Sequence, residues 1–100
     1  STTKRVRTYV ICTTGIGTSQ IISTKIRKKI PEIDIVGMAS NINIEEILRN
    51  EKNIDFLIST IPIKAELKIP VEIVSAFFTK QDEDKIRTLV KELINNRLKS

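Results

Sequence analysis

The chain has 100 residues, a formal net charge of +5 and an apolar fraction of 40% that is mostly aliphatic, with aromatics at 4%. That is enough for one domain with its own core and too little for two. A single cysteine and no histidine exclude an internal disulfide, a transition-metal site and every Cys-His or Ser-His catalytic pair. No apolar run is long enough to span a membrane and no leader pattern opens the chain, so a cytoplasmic, reducing setting without membrane insertion is expected, and no cofactor.

Residues 6–12, V-R-T-Y-V-I-C, read as a buried strand ending at Cys12. A stretch of small and hydroxylated residues follows, broken only by Ile16. Residues 18–30 then read as a helix, because Ile22, Ile26 and Ile30 recur every four residues. Lys28 and Lys29 suit its C-terminus, and Pro31 stops it. No acid occupies its first turn, the usual place for one.

A second strand is expected at 33–38. The sequence N-I-E-E beginning at Asn43 has the form of a capping box for a short helix through Asn50. Residues 54–60 form a third strand, too continuously apolar for an exposed sheet. Residues 61–70 are too few for a full crossover helix, so a loop or a single helical turn must serve. A fourth strand covers 71–74. Thr79 then caps a helix running to about Leu98, with Asp82, Glu83 and Asp84 at its start and one face of Ile86, Leu89, Val90, Leu93 and Ile94. This alternation predicts an α/β three-layer sandwich with a four-stranded parallel sheet and helices on both faces. The simplest winding is flavodoxin-like, with strand order 2-1-3-4. Function in such sheets lies beyond the carboxyl ends of the strands, where Cys12 falls, clear of the core. Ser59 and Thr60, at the end of the third strand, read as turn formers rather than ligands.

The charge is unevenly placed. Residues 1–31 carry seven bases and no acid, whereas residues 32–100 carry ten bases and twelve acids. The basic segment therefore contains the cysteine loop and tolerates an added negative charge. No aromatic interleaves these bases and no recognition motif appears, so nucleic-acid binding by this domain is not expected.

The loop C-T-T-G-I-G-T-S, 12–19, fails several known patterns. A Walker loop needs a lysine that is absent. A dinucleotide fingerprint needs a third glycine where Gln20 stands. A C-x-x-C redox pair fails at Gly15. The small tyrosine phosphatases use this fold with C-x5-R, and here Thr18 stands in place of the arginine, removing the bidentate phosphate clamp. A C-x5-T loop still suits a phosphoryl group, held as a phosphocysteine that persists until another acceptor arrives. Cys12 would be the nucleophile, its thiolate favoured by the helix N-terminus. The amides of Thr13, Thr14, Gly15, Ile16, Gly17, Thr18 and Ser19 would receive the charge. Gly15 and Gly17 would give the loop its backbone freedom. The Thr18 and Ser19 hydroxyls would donate to phosphate oxygens, with Ser19 also a candidate helix cap. A non-catalytic module that docks a partner or binds an anion remains the alternative.

The run C-T-T-G-I-G-T-S, together with L-I-S-T-I-P and I-P-V-E-I-V-S at these spacings, resembles the IIB domains of the bacterial phosphoenolpyruvate-dependent sugar phosphotransferase system, in the galactitol/lactose-type branch. It looks most like the IIB-like domains of transcription regulators and antiterminators that also carry phosphotransferase regulation domains. The resemblance implies one IIB-like domain over residues 1–100, core about 5–95, excised from a longer regulator. It implies that Cys12 takes a phosphoryl group from a phosphohistidine of a IIA domain, a phosphocarrier step rather than the work of a free-standing enzyme. The partners implied are that IIA domain and the other domains of the chain's own regulator. A IIB subunit of a sugar transporter, passing phosphate to the incoming sugar, is the alternative within the family.

Overall fold

The computed structural model describes residues 5–12, 16–40 and 44–99. The elements are β1 (Val6–Ile11), α1 (Ile16–Lys29), β2 (Ile33–Ala39), α2 (Ile44–Asn50), β3 (Phe56–Ser59), β4 (Val71–Ile73) and α3 (Lys80–Lys99). The four strands form one sheet in the order β2-β1-β3-β4, and each neighbouring pair is parallel. This is the expected topology. Residues 60–70 pass from β3 to β4 without a regular element.

Alternation along the strands divides the core. Val6 and Val10 of β1, with Phe56 and Ile58 of β3, pack against Ile22, Ile26 and Ile30 and against Ile86 and Val90. Helices α1 and α3 therefore cover the same face. Ile11 and Leu57 point the other way, into a smaller cluster with Ile44, Ile47 and Leu48 of α2 and with Ile63, Leu67 and Ile69 of the β3–β4 connection. An eleven-residue connection that sends three aliphatic side chains into this cluster does here what a crossover helix does elsewhere. Ile22, Ile26, Phe56, Ile58 and Ile86 are fully enclosed, and each such side chain contributes about 1.5–3 kcal/mol of burial free energy.

One irregularity in the sheet has a local cause. The β1–β2 register shifts between Thr8 and Tyr9, so that Thr8 faces Ile35 and Tyr9 faces Gly37. A Cβ at Gly37 would lie 2.8 Å from three atoms of the Tyr9 phenol. Glycine is thus required for the ring to lie across the strand. Helix α1 stops at Lys29, the Ile30 amide donates to Ile26 O at 2.8 Å, and the Ile33 amide reaches back to Ile30 O at 3.1 Å. Pro31 opens the turn between them, as expected.

Helix α1 begins two residues earlier than the isoleucine spacing predicts. The apolar period locates the buried face, but the helix extends beyond it into Ile16 and Gly17. Gly17 is therefore helical and supplies no special loop conformation, and Ser19 lies inside the helix rather than at its cap. Both expectations are corrected on that ground.

Candidate functional site

The carboxyl ends of β1 and β3 define the site. Cys12 follows Ile11 directly, and its amide donates to Ala39 O of β2 at 2.9 Å. Strand β3 lies on the other side of β1, with Ile11 opposite Ser59, and the Thr60 amide donates to Ile11 O at 3.2 Å. Helix α1 starts four residues after Cys12 and carries no acid in its first turn. The amides of Ile16, Gly17 and Thr18 lead that helix and have no acceptor within it. Its positive dipole end thus opens beside the cysteine in sequence, unopposed by a carboxylate.

Of the residues singled out from the sequence, Thr13, Thr14 and Gly15 lie outside the described residues. The backbone of Ile16 and all of Gly17, Thr18 and Ser19 belong to the first turn of α1. Gly17 is exposed, Thr18 half-buried and Ser19 buried. A Cβ at Gly17 would meet nothing within 4 Å, so the space over this turn is open. Cys12 differs from the expectation in one respect. It belongs to neither apolar cluster, but it is only 3% exposed. In the folded chain the thiol is therefore largely shielded from solvent.

Ser59 behaves as expected. Its hydroxyl donates to Ile61 O at 2.6 Å and accepts from the Ile61 amide at 3.1 Å, which closes the turn after β3. Thr60 does not. Its hydroxyl oxygen is buried and has no hydrogen-bond partner.

The third loop at this end, 75–79, is held by Asp82 of α3. Its Oδ2 accepts from the amide and hydroxyl of Ser75 at 3.1 and 2.8 Å, and from the amide and hydroxyl of Thr79 at 2.9 and 3.1 Å. Burial alone would raise the Asp82 pKa, but the Thr79 amide bond and the Ser75 and Thr79 donors together outweigh it and hold the carboxyl below its ordinary value. Phe78, inside this loop, has φ of 47° and a ring that is 4% exposed. A left-handed backbone is uncommon for a bulky residue, and here it is fixed by core packing on one side and by Asp82 on the other. Lys25 of α1 donates to Phe77 O at 2.7 Å, which ties this loop to the helix that begins beside Cys12.

No family model matches the chain. Over 97 residues, 93% of its length, the chain is 35% identical to part of the "Probable licABCH operon regulator" of Bacillus subtilis (strain 168). Over 87 residues it is 26% identical to part of the "Transcriptional regulator ManR" of the same organism. The chain resembles a segment of transcriptional regulators. It spans 15% and 13% of the length of these two relatives.

Other features lie away from this end. A groove of about 540 Å³ between α2 and the β3–β4 connection is lined by Glu45, Arg49, Glu66 and Lys68 among others, near the amino ends of β3 and β4. Its charges are of both signs. Among the described residues there is no cluster of metal-ligating side chains, and no helix is long and apolar enough to cross a membrane. Asp82 and Thr60 were the residues that sequence reasoning undervalued. For Asp82 the signal was present, three residues after a threonine cap. For Thr60 nothing in the sequence distinguishes an orphaned hydroxyl from one that closes a turn.

Proposed function

We propose that the chain is a phosphoryl-accepting module of a larger transcription regulator. Cys12 takes a phosphoryl group from a phosphohistidine of a IIA domain, and the added charge is the signal that other domains of the regulator read. The observation that carries this reading is the position of Cys12 at the carboxyl end of β1, directly ahead of a helix whose first turn has no carboxylate. Similarity to segments of two transcriptional regulators favours a regulatory module over a transporter subunit.

In the proposed step the Cys12 thiolate attacks phosphorus, the P–N bond of the donor breaks, and its electron pair stays on the imidazole, which takes up a proton. The developing charge on the phosphoryl oxygens falls to the amides of Thr13, Thr14, Gly15, Ile16, Gly17, Thr18 and Ser19 and to the Thr18 and Ser19 hydroxyls. Thr18 gives no guanidinium for hydrolysis, so the phosphocysteine persists. A dianion at this sheet end adds charge at the amino end of α1, and the loop 75–79 is linked to α1 through Lys25.

The burial of Cys12 favours a second reading, in which the loop only docks a partner. The two separate in the full-length regulator with a reporter gene. Under the carrier reading, Cys12→Ser fixes the output at one level whether or not the sugar is supplied. Under the docking reading, Cys12→Ser responds as the wild type does, because no chemistry at sulfur is used.

A further inference from the structure

The unexplained atom at this end of the sheet is the Thr60 hydroxyl. Among the described residues only two buried side-chain polar atoms lack a hydrogen-bond partner, Arg7 Nε and Thr60 Oγ1. Arg7 lies at the amino end of β1 and is engaged elsewhere, with its guanidinium 3.4 Å from Asp34 and its amide bonded to Asp55 at 2.8 Å. Thr60 has no such compensation. An orphaned buried hydroxyl is costly and calls for a reason.

Register supplies the reason. Ile11 faces Ser59 across the β1–β3 pair, and the Thr60 amide continues that ladder by bonding to Ile11 O. Continued by one residue, that register sets Cys12 opposite Thr60, just past the ends of β1 and β3, whose backbones run about 4.8 Å apart. Val10 and Ile58 both point into the cluster beneath α1 and α3. Two residues further along each strand, alternation brings the Cys12 and Thr60 side chains to that same face. Ser59, which points the opposite way, has its hydroxyl fully used by Ile61. Of the two hydroxyls at the end of β3, the one on the cysteine's side is the one left without a partner.

We infer that Thr60 is a further anion-binding residue of this site, its hydroxyl donating to the Cys12 sulfur once that sulfur is ionised and to a phosphoryl oxygen once it is phosphorylated. It would contribute from β3 what the α1 amides contribute from the other side, so the group is held between two elements rather than by one loop. This inference rests on the proposed phosphoryl-acceptor reading and extends it to a residue outside the 12–19 loop. The hydroxyl is unpaired in the resting fold because its acceptor, a thiolate or a phosphoryl oxygen, arises only on ionisation or modification of Cys12.

The test uses the 100-residue chain with Thr60→Val, which keeps the shape and removes the hydroxyl, and Thr60→Ser, which keeps the donor. Two quantities are read: inorganic phosphate binding by calorimetry, and the ionisation midpoint of Cys12 from the ultraviolet absorbance of its thiolate. Thr60→Val should bind phosphate roughly ten- to a hundredfold more weakly, the range for one hydrogen bond to a charged group. It should also ionise Cys12 at a higher pH, while Thr60→Ser stays close to the wild type in both. Without phosphate, Thr60→Val should melt no lower than the wild type, because the hydroxyl it removes has no partner to lose. A wild type that binds phosphate and ionises Cys12 early, beside a Thr60→Val variant that matches it, overturns the role of Thr60 and leaves Cys12 standing. A Thr60→Val variant that melts well below the wild type without phosphate also overturns it, since the hydroxyl would then be structural. A wild type that binds no phosphate and titrates like a free thiol, near pH 8.5, overturns the acceptor reading and the Thr60 inference together.

Discussion

Replacing Asp82 by alanine should loosen the loop 75–79 at a calculable cost. The carboxylate oxygen that holds this loop accepts from two backbone amides, those of Ser75 and Thr79, and from two hydroxyls. The hydroxyls belong to exposed residues and rotate toward water, so their loss counts for little. The amides cannot rotate. Loss of the reciprocal cap with Thr79 costs about 1 kcal/mol, and loss of a charged acceptor for the second amide about 1 kcal/mol more. A total near 2 kcal/mol lowers the melting temperature of a domain this size by roughly 10 °C. Asp82→Asn keeps an acceptor oxygen in place and should lose roughly half as much. The pH dependence has a fixed sign. The native Asp82 carboxyl is held below its ordinary value, so the unfolded chain binds more protons in acid. Its contribution is therefore complete above the ordinary carboxylate pKa and fades as pH falls through the lower, folded value. The stability difference between wild type and Asp82→Asn, followed by circular dichroism, should be constant from neutral pH to about pH 5 and shrink below about pH 4. Glu83, also depressed, chiefly by its Arg87 hydrogen bond, titrates in both proteins and largely cancels. An Asp82→Ala variant that melts within a degree or two of wild type at neutral pH would refute the argument that this oxygen holds the loop.

Two further outcomes follow from the geometry. Gly37→Ala should cost about 1–3 kcal/mol in denaturant unfolding, because its Cβ would meet the Tyr9 phenol at 2.8 Å; Tyr9→Leu should relieve part of that cost, and strict additivity of the two would contradict the clash. Cys12 is only 3% exposed, so a small alkylating reagent should outpace a bulky one on the folded chain and the two should converge in denaturant; equal rates on the folded chain would place the thiol in the open.

The sheet order was legible because each strand is a short aliphatic run separated by a helical period or a proline-bounded connection. The helices follow from the spacing of Ile22, Ile26 and Ile30, of Ile44, Ile47 and Leu48, and from the Ile86, Val90 face, while the N-I-E-E cap expected at Asn43 lies outside the described residues. The start of α1 was misjudged because apolar periodicity marks the buried face of a helix and is silent about residues that extend the helix into solvent, as Gly17 does. The position of Cys12 at the end of β1 was read correctly, whereas its burial was not, because exposure depends on what folds over a residue from distant parts of the chain. Thr60 was undervalued for a related reason. Two adjacent hydroxyl residues after a strand look alike in sequence, and only the pleat decides which one closes a turn and which one faces the cysteine.

The account stands or falls on whether sulfur accepts phosphorus. The chain should be incubated with phosphoenolpyruvate, the general phosphocarriers and a IIA domain, and the intact mass and the modified peptide determined by mass spectrometry. The account predicts one added phosphoryl group per chain, stable in acid, located on Cys12, absent from Cys12→Ser, and slow to hydrolyse when the donor is withdrawn. An unmodified chain, in a reaction where an established IIB domain present in the same tube is phosphorylated, would contradict it.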